Sequence, residues 1–142
     1  MDVPRDIYDR VFDLATALTQ AREAADTRRG WALYNELKGY CEAQESAGVV
    51  HPFLWETLAD YTDEDTVATA LYMKALRQAQ GPERAAYRAS IQFALAERHK
   101  TIGNSDLAYK YALAANEEAK GLDDLELRRS ISEFLLSEAK HT

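Results

Sequence analysis

The chain of 142 residues contains few of the residues that interrupt or crosslink a fold. Its single cysteine, Cys41, excludes an intramolecular disulfide and favours a reducing, cytoplasmic setting. Three prolines and six glycines leave few positions that would break a helix. The first residues are acidic and polar, so we expect no secretory signal peptide. No apolar run approaches the roughly 18 residues that a membrane span needs, so we expect no contact with a membrane.

An excess of basic residues is also lacking. The sequence holds 17 Lys and Arg against 24 Asp and Glu, which gives a formal net charge of −7. Because nucleic-acid binding needs a basic footprint for the phosphates, this balance predicts a protein that does not bind nucleic acid. The same charge would attract a basic partner. With 46% hydrophobic residues, the chain can build the core of one domain.

Catalytic and metal-binding patterns are missing as well. His51, His99 and His141 lie far apart, and none stands in an HExxH or CxxC motif. Cys41 falls on the apolar side of a predicted helix, where a small core residue is expected rather than a nucleophile. We therefore expect a protein that is not an enzyme, with no catalytic residues, metal or cofactor. The enzyme alternative requires His99, Cys41 or paired acids from distant helices to meet in one pocket.

Helical periodicity is what the sequence has in plenty. In the first segment the apolar residues recur every three or four positions: Ile7, Val11, Leu14, Leu18, Ala21 and Ala25. Similar patterns predict helices over residues 6–25, 27–47, 52–61 and 82–102. Further helices are expected between Asp63 and Gly81, between Ser105 and Gly121, and after Asp123 or Asp124. In the second helix we expect one inward stripe of Trp31, Tyr34, Leu37 and Cys41, with Leu33 and Tyr40 alongside it. No segment alternates with the period of a strand.

Residues that begin or end helices stand at most of these boundaries. Gly48 suits the end of the second helix, and Pro52 suits the first turn of the third. Side chains that can accept from backbone N–H groups are expected to cap three helices. They are Asp2 or Asp6 for the first helix, Thr62 or Asp63 for the fourth, and Ser105 for the sixth.

An internal repeat runs through the even-numbered helices. Ala32-Leu33-Tyr34 recurs as Ala70-Leu71-Tyr72, an offset of 38, and Ala108-Tyr109 follows after another 38. Periods of this length indicate repeated helix pairs.

These pairs resemble the tetratricopeptide repeat (TPR) superfamily over roughly residues 27–121. The match is carried by Trp55, Leu58, Ala59, Ala68, Tyr72 and Ala75 in the middle pair, by Leu95, Ala96, Gly103, Ala108 and Ala115 in the next, and by Gly30, Tyr34 and Leu37 in the first. Gln92, Ala112 and a turn after Tyr61 that is about three residues short depart from the family's pattern. The resemblance implies an all-α, TPR-like antiparallel helix-hairpin array of about seven helices. It would form one domain over residues 1–142 with a C-terminal capping helix. An irregular helical bundle is the alternative.

The resemblance also implies a binding groove lined by the first helix of each pair. Its positions would be Phe53, Glu56, Asp60, Phe93, Glu97 and Lys100, extended by Phe12, Thr19 and Arg22. The carboxylate clamp of some family members needs Lys and Asn where this chain has Glu56, Asp60, Phe93 and Glu97. An acidic groove with aromatic residues would instead prefer a basic protein or peptide.

Charge is distributed unevenly along the chain. Residues 49–73 hold five acids and no Lys or Arg: Glu56, Asp60, Asp63, Glu64 and Asp65. Residues 74–100 hold six bases: Lys74, Arg77, Arg84, Arg88, Arg98 and Lys100. We expect these zones to pair within the molecule. The alternative is a local nucleic-acid patch formed by the bases with Tyr87 and Phe93.

These features favour a non-enzymatic protein-interaction module. In its concrete form it would be an inhibitor or immunity-type protein that masks a basic partner. The alternative is a homo-oligomeric structural or regulatory adaptor that binds a peptide. The sequence leaves the oligomeric state open between these two hypotheses.

Overall fold

A computed structural model describes residues 3–139 of the chain. Over that range the fold is all-helical, with seven α-helices and no strand, as the periodicity predicts. The helices are α1 (Arg5–Glu23), α2 (Thr27–Ser46), α3 (Pro52–Asp60), α4 (Asp65–Gln78), α5 (Ala85–Ile102), α6 (Ser105–Ala119) and α7 (Leu125–Ala139). A single 3-10 turn, Pro82–Arg84, precedes α5.

Three of the expected helix boundaries are confirmed. Gly48 follows the end of α2 with a φ of +93°, a left-handed conformation that glycine adopts without steric cost. Pro52 is the first residue of α3, where its missing N–H leaves no bond unmade. Asp124 accepts a hydrogen bond from the backbone N–H of Leu127 at 3.0 Å and so caps α7.

The other expected caps are wrong. Asp6 lies inside the first turn of α1, which begins after Pro4 without a side-chain cap, and Asp2 is outside the described residues. Glu64 rather than Thr62 or Asp63 precedes α4. Ser105 is the first residue of α6, and Asn104 precedes it.

The Thr62 hydroxyl is not free to cap α4. It donates to the backbone oxygen of Leu58 at 2.8 Å and lies 2.7 Å from the Tyr34 hydroxyl. Since Thr62 is buried, these two bonds are what satisfies its hydroxyl. The residue therefore joins the end of α3 to α2.

Helix α1 ends two residues earlier than predicted, because the chain reverses tightly before α2. The N–H of Asp26 bonds back to the backbone oxygen of Ala21 at 2.9 Å, and Ala25 holds a φ of +57°. This turn places Ala25 in the left-handed conformation directly after the helix, a position where glycine is usual. Ala25 is consequently exposed rather than part of the inward stripe.

The odd-numbered helices run in the same direction. The Tyr8 and Phe53 rings meet near the N-terminal ends of α1 and α3, with centroids 5.3 Å apart, and Thr19 bonds Tyr61 at 2.7 Å near their C-terminal ends. Contacts of the same parallel kind join α3 to α5 and α5 to α7: Glu56–Ser90, Ala59–Arg98, Phe93–Phe134 and Lys100–Glu138. Each even-numbered helix runs the opposite way beside its neighbours, as Cys41–Leu54 and Tyr34–Thr62 show for α2 and α3.

One hydrophobic core extends from α1 through α5, and a smaller one joins α5, α6 and α7. The largest side chains with no exposed surface in the first are Leu18, Leu37, Leu54, Leu58, Ile91 and Leu95. The second is built from Ala89, Ala115, Ala119 and Ile131. Cys41 is fully buried in the first core, which confirms its expected role as a small core residue.

Trp31 is the clear error in the expected stripe of α2, because it is 71% exposed. The buried residues of α2 are Gly30, Leu33, Leu37 and Cys41, and the last three agree with the expected pattern. Trp31 lies on the neighbouring side of α2, which opens toward the connection after α3 and the first turn of α4.

The repeat has two offsets rather than one. Gly30, Leu37 and Cys41 correspond to Ala68 and Ala75 of α4 and to Ala79, which directly follows that helix, 38 positions later, as expected. Those three correspond to Ala108, Ala115 and Ala119 of α6, which are 40 positions later, so the second offset of 38 is wrong. The difference arises between an odd-numbered helix and the helix that follows it: Ala68 follows Ala59 by nine positions, whereas Ala108 follows Ala96 by twelve. The short connection after α3 agrees with the short turn read from the sequence.

Candidate functional site

The six residues expected to bind a partner lie on α3 and α5. Phe53, Glu56 and Asp60 are spaced by three and four positions on α3, and Phe93, Glu97 and Lys100 have nearly the same spacing on α5. The Ser90 hydroxyl donates to Glu56 at 2.6 Å and ties the two helices together. We call the surface that these residues share with Tyr8 and Phe12 of α1 and Phe134 of α7 the odd-helix face.

Aromatic rings occupy the α1 end of this face. Tyr8 is stacked between Phe53, at 5.3 Å and 21°, and Phe12, at 6.2 Å and 17°. Phe12 is 56% exposed, although aromatic rings are usually buried. The sequence reasoning named Phe12 and Phe53 but missed Tyr8. Its position four residues before Phe12 on one helix was the available signal.

A second aromatic pair lies at the α7 end. Phe93 meets Phe134 edge to face, with centroids 5.8 Å apart and planes at 82°. Lys100 lies 5.2 Å from the Phe134 ring and pairs with Glu138 at 2.9 Å. Because Glu138 is buried, Lys100 is held as an internal counter-charge and is not a free cation of the face. Phe134 was missed, and nothing in its local sequence places it beside α5.

Three carboxyl groups lie between the two aromatic ends. Burial raises the pKa of Glu56 to about 7, a shift that the Ser90 hydrogen bond opposes and the charge of Asp60 increases. Burial also raises the pKa of Glu97, and the nearby Asp60 adds to this effect while Arg98 opposes it. The pKa of Asp60 is raised by burial against the hydrogen bond from the Tyr72 hydroxyl and the charge of Arg98. Asp60 thus acts electrostatically on both glutamates, so the three acids form one cluster.

The cluster has no cation of its own. Among residues 3–138, no ion pair includes Glu56, Asp60 or Glu97. Arg98 approaches most closely, but its guanidinium binds Asp65 at 3.0 Å and the backbone oxygen of Ala59. The three acids therefore have no ion-pair partner in this part of the chain, and only the nearby charge of Arg98 acts on Asp60 and Glu97.

Of the three residues expected to extend the groove along α1, only Phe12 lies on the open part of the face. The Thr19 hydroxyl is bonded to that of Tyr61 at 2.7 Å. Arg22 donates to the backbone oxygen of Tyr61, lies 5.4 Å from its ring and pairs with Asp63 at 3.5 Å. Both residues hold α1 against the end of α3.

The acidic and basic zones of the sequence pair in part, as expected. Asp65 of the acidic zone binds Arg98 of the basic zone at 3.0 Å. Lys74 and Arg88 of the basic zone form ion pairs with Glu45 and Glu118, which lie outside the acidic zone. These pairs consume cations that a nucleic-acid patch would need.

The candidate nucleophile and histidines lie in structural settings. Burial raises the pKa of Cys41 to about 12, so its thiol stays protonated at neutral pH. His99 is stacked on Tyr111 at 5.5 Å, and His51 accepts from the backbone N–H of Phe53 at the start of α3. His141 lies outside the described residues. Within residues 3–139, no three His, Cys, Asp or Glu residues are grouped so that they could hold a metal ion.

None of the helices within the described range has the length and apolar character that crossing a bilayer requires. A comparison of the chain with protein-family models, curated proteins and solved structures found no match.

Proposed function

We propose that this chain is a non-enzymatic protein-interaction module that binds a basic segment of a partner on its odd-helix face. The observation that carries the proposal is the cluster of Glu56, Asp60 and Glu97. These carboxyl groups stand together between aromatic rings, with no ion-pair partner among residues 3–138. An arginine or lysine of the partner would supply the missing charge, and its alkyl stem could pack on the rings.

The helix arrangement supports a TPR-like architecture for this module. The odd-numbered helices run parallel to one another, and each even-numbered helix runs antiparallel to its neighbours. This arrangement is typical of stacked helix pairs. The buried positions repeat after 38 and 40 residues, within the range of such repeats. In this proposal α7 is the capping helix, since it contributes Ile131 to the second core and exposes its other side.

An inhibitor or immunity-type role is the concrete form of the proposal. A chain of net charge −7 is suited to fast capture of a basic domain. Masking such a domain requires only a complementary surface, so the module would need no chemistry of its own.

The test uses a fluorescein-labelled peptide of alternating arginine and leucine, with binding followed by anisotropy. The variant Glu56→Lys with Asp60→Lys reverses the charge of the cluster. The matched control, Glu23→Lys with Glu42→Lys, makes the same change in net charge at exposed acids outside the odd-helix face. We expect the cluster variant to bind at least about tenfold more weakly than the control. Equal loss in both variants would mean that net charge alone attracts the peptide and would overturn the site.

The same assay has a pH signature. Since the pKa of Glu56 is raised to about 7, part of the cluster is protonated below neutral pH. A cation favours the charged carboxylate, so affinity should increase as the pH rises from 5.5 to 8. Glu56→Gln should flatten this dependence, whereas Glu133→Gln on the exposed surface of α7 should not.

The homo-oligomeric adaptor remains a second candidate, favoured by one observation. Leu125 and Leu136 are 70% and 66% exposed, and their spacing of eleven positions places both on one side of α7. If they pair with a second copy, the mass from light scattering will correspond to a dimer, and Leu136→Lys will return it to a monomer. A wild-type mass of 16.0 kDa at all concentrations would exclude this candidate.

A further inference from the structure

At three places in the described part of the chain, a cation lies over an aromatic ring and also pairs with an acid. The sets are Arg22–Tyr61–Asp63, Lys74–Trp55–Glu45 and Lys100–Phe134–Glu138. The charged groups lie 5.4, 3.8 and 5.2 Å from the ring centroids, and the ion pairs are 3.5, 2.9 and 2.9 Å long. The fold thus gives each of these cations two partners at once, a π face and a carboxylate.

Helices α3 and α5 present the ring and the acid of such a set on the odd-helix face. Glu56 follows Phe53 by three positions, and Glu97 follows Phe93 by four, so each acid neighbours its ring on one side of the helix. Both rings are partly exposed. We call Phe53 with Glu56, and Phe93 with Glu97, the two open pairs.

The cation is the component that the open pairs lack. Among residues 3–138, no cation lies over Phe53 or Phe93, and none forms an ion pair with Glu56 or Glu97. The charge of Arg98 acts on Glu97, but its guanidinium is bound to Asp65. Two equivalent places for a cation from outside this part of the chain therefore stand side by side.

Asp60 lies between the open pairs and strengthens both. Its charge raises the pKa of Glu56 and that of Glu97, so it acts on each pair. Its own carboxylate accepts a hydrogen bond from the Tyr72 hydroxyl and is therefore already engaged. Since packed helices lie about 8–10 Å apart, two cations that occupy the open pairs on α3 and α5 would be separated by about 10 Å.

We infer that the odd-helix face binds two cationic side chains of one partner segment, one at each open pair and about 10 Å apart. The inference rests on the proposed function, because it specifies the basic segment that this face binds. Each cation lies against the ring of Phe53 or Phe93 and pairs with the acid beside it, as Lys74 does inside the fold.

The occupant is a protein segment rather than a polyamine because apolar surface continues past the α3 pair. Phe12 is 56% exposed and stacks on Tyr8, which in turn stacks on Phe53. A protein segment covers this surface with a side chain next to its cations. A polyamine has the charges but no such side chain.

The test compares three fluorescein-labelled proline peptides that each contain two arginines, with anisotropy measured at pH 8, where Glu56 is charged. Polyproline II rises 3.1 Å per residue with three residues per turn, so arginines three positions apart lie on one side at about 9 Å. The two controls have the same composition, with the arginines adjacent or six positions apart. We expect the three-position peptide to bind at least about fivefold more tightly than either control, although all three carry the same charge.

Two variants assign the two arginines to the open pairs. Glu56→Gln and Glu97→Gln each remove one charge and keep the ring and nearly the same side-chain volume. Either should lower the affinity of the three-position peptide to that of the controls, because one arginine loses its acid. Glu133→Gln, at an exposed acid of α7, should leave the preference unchanged.

The outcomes separate this inference from the proposed function. If the alternating arginine and leucine peptide binds at the cluster but the three proline peptides bind equally or not at all, the inference is overturned and the proposed function stands. If no peptide binds, both are overturned. A preference that persists in Glu56→Gln and Glu97→Gln overturns the open pairs, and displacement of the peptide by an equal concentration of spermidine overturns the protein segment as occupant.

Discussion

Helices α2 and α6 occupy equivalent places after α1 and α5, yet they pack in different ways. The inward side of α2 contains Leu33, Leu37 and Cys41, whereas the inward side of α6 is only alanine, at positions 108, 112, 115 and 119. Helix α6 contacts α5 more extensively than α2 contacts α1. Small side chains permit close and continuous approach of two helices; large ones fill a core but hold the helices apart.

The difference bears on the surface of each half of the chain. The looser packing of α2 accompanies an open cleft beside Trp31. The extensive contact between α5 and α6 supports the helix that carries Phe93 and Glu97 of the odd-helix face. Stability of the first half of the chain should therefore depend on large apolar side chains at the inward side of α2. Stability of the second half should depend on small side chains at the interface between α5 and α6.

The largest effect is expected where the leucine-rich core is deepest. Leu58→Ala removes a side chain with no exposed surface and should lower the free energy of unfolding by about 3 kcal/mol. Urea denaturation followed by circular dichroism measures the change. Leu136→Ala, at an exposed position of α7, serves as the control and should change it by less than about 0.5 kcal/mol. A similar small effect for both would mean that Leu58 is not well packed.

The reverse substitution should break the alanine interface. Ala115→Leu forces a large side chain between α5 and α6 and should cost about 2 kcal/mol, because the helices have no room to separate without losing other contacts. Ala32→Leu makes the same change at an exposed position of α2 and should be nearly neutral. If thermal unfolding shows equal stability for the two variants, the close approach of α5 and α6 has no energetic role.

Glu56, which accepts a hydrogen bond from Ser90 and so joins α3 to α5, should have a smaller, pH-dependent effect on the free energy of unfolding. The pKa of Glu56 is about 7 in the folded chain, well above that of an unfolded glutamate, so the folded state holds the proton more tightly. Stability from this group is present below about pH 4.5 and is lost as the pH rises to about 7. Glu56→Gln should therefore gain about 2 kcal/mol relative to the wild type at pH 8 compared with pH 5. A constant difference between the two proteins across this range would contradict the assignment.

The smallest effect is expected at Trp31. Since its ring lies mostly in solvent, Trp31→Ala should change the free energy of unfolding by less than about 0.5 kcal/mol in chemical denaturation. Trp55→Ala, which removes a buried ring on α3, is the contrasting variant and should be several-fold more destabilising. A large loss at Trp31 would show that this residue serves the core rather than the cleft.

Periodicity predicted the helices well because apolar spacing reports directly on which residues share one side of a helix. It did not predict which neighbour covers that side. Tyr34 and Trp31 stand on one stripe, but only Tyr34 meets Thr62, since α3 ends before it reaches Trp31. The spacing between repeats also differs, because the connection after α3 is shorter than the one after α5, so the buried positions recur after 38 residues and then after 40.

The candidate site shows the same limit. The resemblance to helix-pair repeats implied the group of Phe53, Glu56 and Asp60 on one helix and their counterparts on α5. Their contacts with Tyr8, Ser90 and Phe134 depend on how separate helices are aligned, which a single sequence does not encode in any local pattern. The raised pKa of Glu56 has the same origin, because burial by a neighbouring helix produces it.

The buried thiol gives the chain a practical property. Cys41 is the only cysteine in the sequence, and at a pKa of about 12 almost none of it is thiolate at neutral pH. Maleimide and iodoacetamide reagents should therefore leave the native protein unmodified. A cysteine introduced at any exposed position would become the sole labelling site, so spin labels or dyes could report on either surface without replacement of the native residue.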